Sequence, residues 1–97
     1  MKYIVYYKYD PKDLEKCLEL NAQITEERKK NPKKYTRLIS DNYTMNGDYV
    51  GFVLAEADNE EQLLNATVHY FPFMTLNWVP IIESSKTLAA LREKTKK

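Results

Sequence analysis

Lys2 to Tyr9 gathers β-branched and aromatic residues into one run that stops at Asp10-Pro11, the pattern of a strand and its exit turn. Asp10 is placed to cap a following helix, with Pro11 at the first position, where a missing N–H costs nothing. That helix is predicted to run to about Lys30. Leu14, Cys17, Leu18, Asn21, Thr25 and Arg28 recur at helical spacing as its expected inward stripe, flanked by Ala22 and Ile24. Lys29, Lys30, Lys33 and Lys34 surround Asn31-Pro32, so cations meet the negative end of the helix dipole where proline stops it. Strands over residues 36–45 and 48–57 are joined by Asn46-Gly47, the strongest short-range hairpin signal in the chain. A two-residue turn sets Met45 against Asp48, Tyr43 against Val50, Asp41 against Phe52, Ile39 against Leu54, and Arg37 against Glu56. The last is a cross-strand ion pair.

Asp58-Asn59-Glu60-Glu61 reads as a capping box for a second helix that ends before Pro72. Its expected inward stripe is Leu63, Leu64, Thr67, Tyr70 and Phe71, which leaves His69 on the solvated side. Residues 73–83 supply a fourth strand, and Pro80, lacking a ladder donor, belongs at a sheet edge. Ser84-Ser85 caps a short C-terminal helix carrying Leu88 and Leu91, before a lysine-rich tail expected to fray.

This order is the α+β ferredoxin-like βαββαβ plan: a four-stranded antiparallel sheet with both helices on one face, in one domain over residues 1–97. In the first strand Tyr3, Val5, Tyr7 and Tyr9 share a side, and Ile4 and Tyr6 share the other. The third strand divides Val50, Phe52 and Leu54 from Tyr49, Val53 and Ala55. A sheet with one wet face alternates apolar and polar residues, and this one is apolar on both sides. The expectation is a homodimer formed sheet against sheet.

Composition narrows the function. Fifteen Lys and Arg against 14 Asp and Glu give a net charge of +1, which gathers no polyanion. One strand does resemble an RNA-recognition motif at Gly51-Phe52-Val53, but Asp48 holds the basic position and Val50 a stacking one, so no nucleic acid is expected. One cysteine and one histidine leave few ways to build a metal site, and no metal or cofactor is expected. Cys17 reads as an inert core thiol. No signal peptide or membrane span is visible, so a cytoplasmic protein without a membrane partner is expected.

Met1-Lys2-Tyr3-Ile4-Val5 leading to Asp10-Pro11, the Asn-Gly hairpin, and Trp78-Val79-Pro80-Ile81-Ile82 resemble the dimeric alpha–beta barrel superfamily, in particular its small single-domain members. The resemblance covers nearly the whole chain, though its motifs are scaffold features. It implies a ligand held between helices and sheet. The superfamily includes cofactor-free monooxygenases, muconolactone-isomerase-like enzymes and haem-degrading enzymes. Haem degradation is disfavoured, because the strand position that carries asparagine in that branch is Tyr7 here and His69 is expected to point away.

The polar half of the first helix stripe is the leading candidate site. Asn21, Thr25 and Arg28 offer amide, hydroxyl and guanidinium donors suited to a carboxylate or carbonyl head group. Tyr7 would orient that group, and Phe71 would line the apolar part. The expected ligand is small and mostly apolar, fatty-acid-like, with an acidic or carbonyl end. The alternative is a cofactor-independent monooxygenase or isomerase in which Tyr7 or Asp41 handles a proton. Asp41 is the carboxylate in the middle of its expected strand, where exposure on an edge is the competing reading.

Overall fold

The computed structural model describes residues 1–45 and 49–95, so the Asn46-Gly47 turn and the tail residues Lys96 and Lys97 lie outside the described residues. The strands are β1 (Lys2–Tyr9), β2 (Arg37–Leu38), β3 (Tyr43–Thr44), β4 (Val50–Glu56) and β5 (Met74–Ile81). The helices are α1 (Leu14–Lys30), α2 (Glu60–Tyr70) and α3 (Ser84–Thr95), with a single 3-10 turn at Pro11–Asp13. β1 lies inside an open antiparallel sheet of order β2-β4-β1-β5, and β3 pairs alongside β4. β5 is an edge strand, which accommodates Pro80.

The sheet has five strands rather than four because the second expected strand is split. Arg37 faces Glu56 as predicted, and Leu38 faces Ala55. Beyond Leu38 the register moves by two residues, so Tyr43 faces Phe52 rather than Val50. Ile39 N still donates to Leu54 O at 2.9 Å. Leu54 N then donates to Ser40 Oγ at 2.8 Å, so a side-chain oxygen takes the place of a ladder carbonyl. Past the bulge, Met45 N donates to Val50 O at 2.8 Å, and the expected pairing of Met45 with Asp48 lies outside the described residues. Asp41 therefore sits exposed in the break, not on a strand face opposite Phe52.

The face of β1 bearing Val5 packs with Val53 and Ala55, with Tyr3, Leu76 and Trp78 against them. Leu20 and Ile24 of α1, Ala66 and Tyr70 of α2, and Tyr35 form the adjoining cluster, which meets the same Leu76 and Trp78. Both helix phases differ from expectation. α1 buries Cys17, Leu20 and Ile24, while Leu18 and Thr25 are exposed. Asp10 does cap, but it caps the 3-10 turn, accepting from Lys12 N at 3.0 Å, so α1 begins only at Leu14.

α2 buries Gln62, Ala66 and Tyr70, and it exposes Leu64, Val68 and Phe71. Gln62 sets this rotation. Its N–H donates to the cap Asn59 Oδ1 at 3.0 Å, its Oε1 accepts from Asp58 N at 2.7 Å, and its Nε2 donates to Lys33 O at 2.9 Å. A buried amide satisfied at both ends outweighs the exposure of single leucines. The same rotation turns His69 inward, with Nε2 2.7 Å from Leu20 O and its ring beside Tyr35 and Tyr70. His69 is thus half-buried between helices rather than solvated.

The opposite sheet face has no element of its own covering it among the described residues. Tyr43 stacks on Phe52 with centroids 5.1 Å apart, and Tyr6 meets the same ring at 6.3 Å. Ile4, Leu54 and Val79 share this face by strand parity. α3 buries none of its residues, Leu88 and Leu91 included. The radius of gyration, 16.1 Å, exceeds the roughly 12–13 Å of a compact chain of this length, as a projecting helix requires.

Candidate functional site

Side-chain parity in β1 sends Tyr7 and Tyr9 to the helix face beside Val5, and pairing with β5 brings Trp78, Leu76 and Met74 opposite Val5, Tyr7 and Tyr9. These six residues floor a cavity of about 280 Å³. Leu14, Cys17, Leu18, Asn21 and Arg28 of α1 form one wall, Ala66 and Tyr70 of α2 contribute to another, and Thr36, Leu38, Asn42 and Thr44 close the side toward β2 and β3. Tyr7 can lie there because its strand partner is Gly51. A Cβ at Gly51 would come closer than 3.0 Å to the Tyr7 phenol and the Tyr43 carbonyl oxygen.

Arg28 is half-buried, and its Nε donates to Thr36 O at 3.2 Å. None of the ion pairs among the described residues includes Arg28. Burial lowers the guanidinium's pKa from its ordinary value, and the neighbouring Tyr70 and Tyr35 act in the other direction. Thr36 is 1% exposed, and its Oγ1 is buried without a hydrogen-bond partner among the described residues. Tyr70 Oη donates to Asn21 Oδ1 at 3.2 Å, and burial raises the Tyr70 pKa. An unpaired cation, Arg28, and the Asn21 amide thus share one mixed apolar and polar pocket, an arrangement able to accept an oxyanion.

Of the residues expected at the site, Tyr7, Asn21 and Arg28 meet around this cavity, with Cys17 on its wall. Thr25 and Phe71 do not line it. The Thr25 hydroxyl donates to Asn21 O at 2.8 Å along its own helix, and Phe71 is 73% exposed beyond the end of α2. Asp41 is also absent from the lining. Cys17 Sγ lies 3.5 Å from Phe73 O, and burial, aided by the Asp13 charge, raises its pKa and favours the thiol. Thr36, Tyr70 and Trp78 were not among the expected site residues. Thr36 was within reach of sequence reasoning, since the Arg37–Glu56 pairing puts Thr36 and Leu38 together on the opposite face from Arg37.

Beside the site, the Tyr35 hydroxyl donates to Glu27 Oε2. Burial, then this bond and the Glu27 charge, push the Tyr35 pKa up to about 12, and the same bond holds Glu27 below its ordinary value. The folded pKa of Tyr35 lies above the ordinary 10.0. Its contribution to stability is therefore complete below pH 10 and is lost as pH rises through about 12. In an alkaline titration followed by phenolate absorbance, Tyr35→Phe should delete a step near pH 12, and Glu27→Gln should move that step lower.

Among the described residues no three His, Cys, Asp or Glu side chains cluster as a metal site, and no helix is long and apolar enough to cross a membrane. The model of a domain of unknown function, DUF3303, matches residues 1–95. The chain belongs to the DUF3303 family. Comparison with curated proteins and with solved structures gave no significant match. The α+β architecture and the polar groups of the cavity therefore carry the functional argument for this DUF3303 domain.

Proposed function

We propose that this chain is a ferredoxin-like domain of the dimeric alpha–beta barrel kind, which binds a small, mostly apolar ligand with an acidic or carbonyl end between α1 and the sheet. The observation that carries this reading is Arg28: a half-buried guanidinium, without a carboxylate partner among the described residues, at a cavity lined by apolar side chains interspersed with Tyr7, Tyr9, Asn21, Asn42, Thr44 and Tyr70. Desolvating a cation costs free energy that an anionic ligand recovers by direct pairing. Tyr7 and Asn21 supply further polar contacts from the floor and the wall. The second copy would cover the open sheet face, where Tyr6, Tyr43 and Phe52 form an aromatic patch.

The test is a titration with small carboxylic acids of differing shape, each beside its methyl ester. Arg28→Ala should weaken acid binding at least tenfold, the scale of a charged hydrogen bond, and leave the thermal midpoint within a few degrees. Native mass spectra of the same sample should show the dimer. If no acid of any shape binds, the ligand reading fails.

Tyr7 favours a second reading, a cofactor-independent monooxygenase or isomerase, because its phenol faces the cavity. Asp41 lies outside that cavity, so Tyr7 would be the proton-handling residue.

A further inference from the structure

α2 and α3 each present an apolar stripe that the chain itself leaves uncovered. In α2 the buried Gln62, Ala66 and Tyr70 recur at every fourth position and define the inner face. Leu64, Val68 and Phe71 fall on the opposite side at helical spacing, each more than half exposed. Glu60 and Glu61 flank the start of that stripe. α3 carries Leu88 and Leu91 on one side, both also more than half exposed, with Arg92 and Lys94 flanking them near its end. None of the ion pairs among the described residues includes Glu60, Glu61, Arg92 or Lys94. A helix of 12 residues that buries none of them is marginal in water and is stabilised by laying its apolar side on another surface.

Set antiparallel, the two stripes match. With Leu64 beside Leu91, the helical rise brings Val68 beside Leu88 and Phe71 beside the start of α3, next to the exposed Ile82. The same alignment lays Glu60 and Glu61 against Arg92 and Lys94 and opposes the two helix dipoles. A parallel alignment would carry both cations toward His69 and away from the carboxylates. α3 cannot reach this face within its own chain. β5 ends in the sheet at Ile81 and α3 opens at Ser84, three Cα–Cα steps and at most about 11 Å away. Glu83 in that link accepts from Lys2 Nζ, which ties it to the start of β1. A helix stacked outside α2 must clear the thickness of α2 and its own radius, about 15 Å or more. We infer that Leu88 and Leu91 dock on the Leu64, Val68 and Phe71 stripe of a second copy, antiparallel, with Arg92 and Lys94 facing Glu60 and Glu61. The contact uses neither the cavity nor the open sheet face, so it goes beyond the function proposed above and is tested apart from it.

Two chains test it, both in a Cys17→Ser background, one with Val68→Cys and the other with Leu88→Cys. Mixed and left to oxidise, they should form a covalent heterodimer about tenfold faster than either chain alone forms a homodimer, because the contact concentrates the two thiols. A heterodimer no faster than the homodimers would overturn the inference. So would faster Leu88→Cys homodimers, which would set α3 against α3. An intrachain disulfide in one chain carrying both substitutions would overturn it by placing α3 on its own α2. Added salt should slow the heterodimer cross-link severalfold, and Glu60→Gln with Glu61→Gln should abolish that salt dependence. A cross-link rate that ignores salt in the parent pair would overturn the charge-matched alignment.

Discussion

Ile24→Ala is expected to lower the unfolding free energy by about 2–5 kcal/mol, the range for truncating a fully buried aliphatic side chain. Ile24 is 0% exposed and sits where α1, α2 and Tyr35 converge, so the space left behind has no flexible neighbour on the solvent side to fill it. Urea denaturation at one fixed protein concentration measures the change without confusing it with association. Leu18→Ala provides the contrast. Leu18 is 61% exposed on the same helix, and its truncation should cost well under half as much. Equal costs for the two would mean that α1 presents the 14/18/25 side to the core, as its spacing alone suggests.

That contrast locates where sequence reading succeeded and where it failed. Element order, the Arg37–Glu56 pairing and the two-sided division of β1 follow from runs of β-branched and aromatic residues, turn residues and strand parity. Helix phase did not follow. α1 buries three side chains, Cys17, Leu20 and Ile24, and a stripe drawn through Leu14, Leu18 and Arg28 fits the spacing equally well. Only packing against α2 separates the two. In α2 the decisive residue is polar: Gln62 is buried because its amide joins the start of the helix to the Lys33 carbonyl, and no hydrophobic pattern announces that. The site was half legible for the same reason. Tyr7 follows from strand parity, and Asn21 and Arg28 from helical spacing. Thr25 and Phe71 rested on the wrong phases, and Thr36 lies on the face that the expected Arg37–Glu56 register already assigns.

Gly51→Ala should destabilise the chain by about 1–3 kcal/mol, although alanine ordinarily gains over glycine in a strand interior. The sign turns on what the new methyl group meets. One neighbour is the end of the Tyr7 side chain, which can swing away at modest cost. The other is the Tyr43 carbonyl oxygen, a backbone atom in a strand that pairs through Tyr43–Phe52 and Thr44–Gly51. Relieving that overlap requires β3 to move away from β4. The two contributions separate in a double-mutant cycle with Tyr7→Ala. The second change should recover part of the loss, namely the phenol's share, and leave the part owed to Tyr43. Full recovery would place the whole constraint on Tyr7, and none would place it on β3. The same substitution reaches the site, because a displaced Tyr7 ring enters the cavity between Val5 and Leu14. Gly51→Ala should therefore weaken binding of small carboxylic acids as well as the fold, whereas Ile24→Ala should act mostly on stability. A glycine that reads in the sequence as a strand-weakening residue is, in this sheet, the position that makes room for the cavity floor.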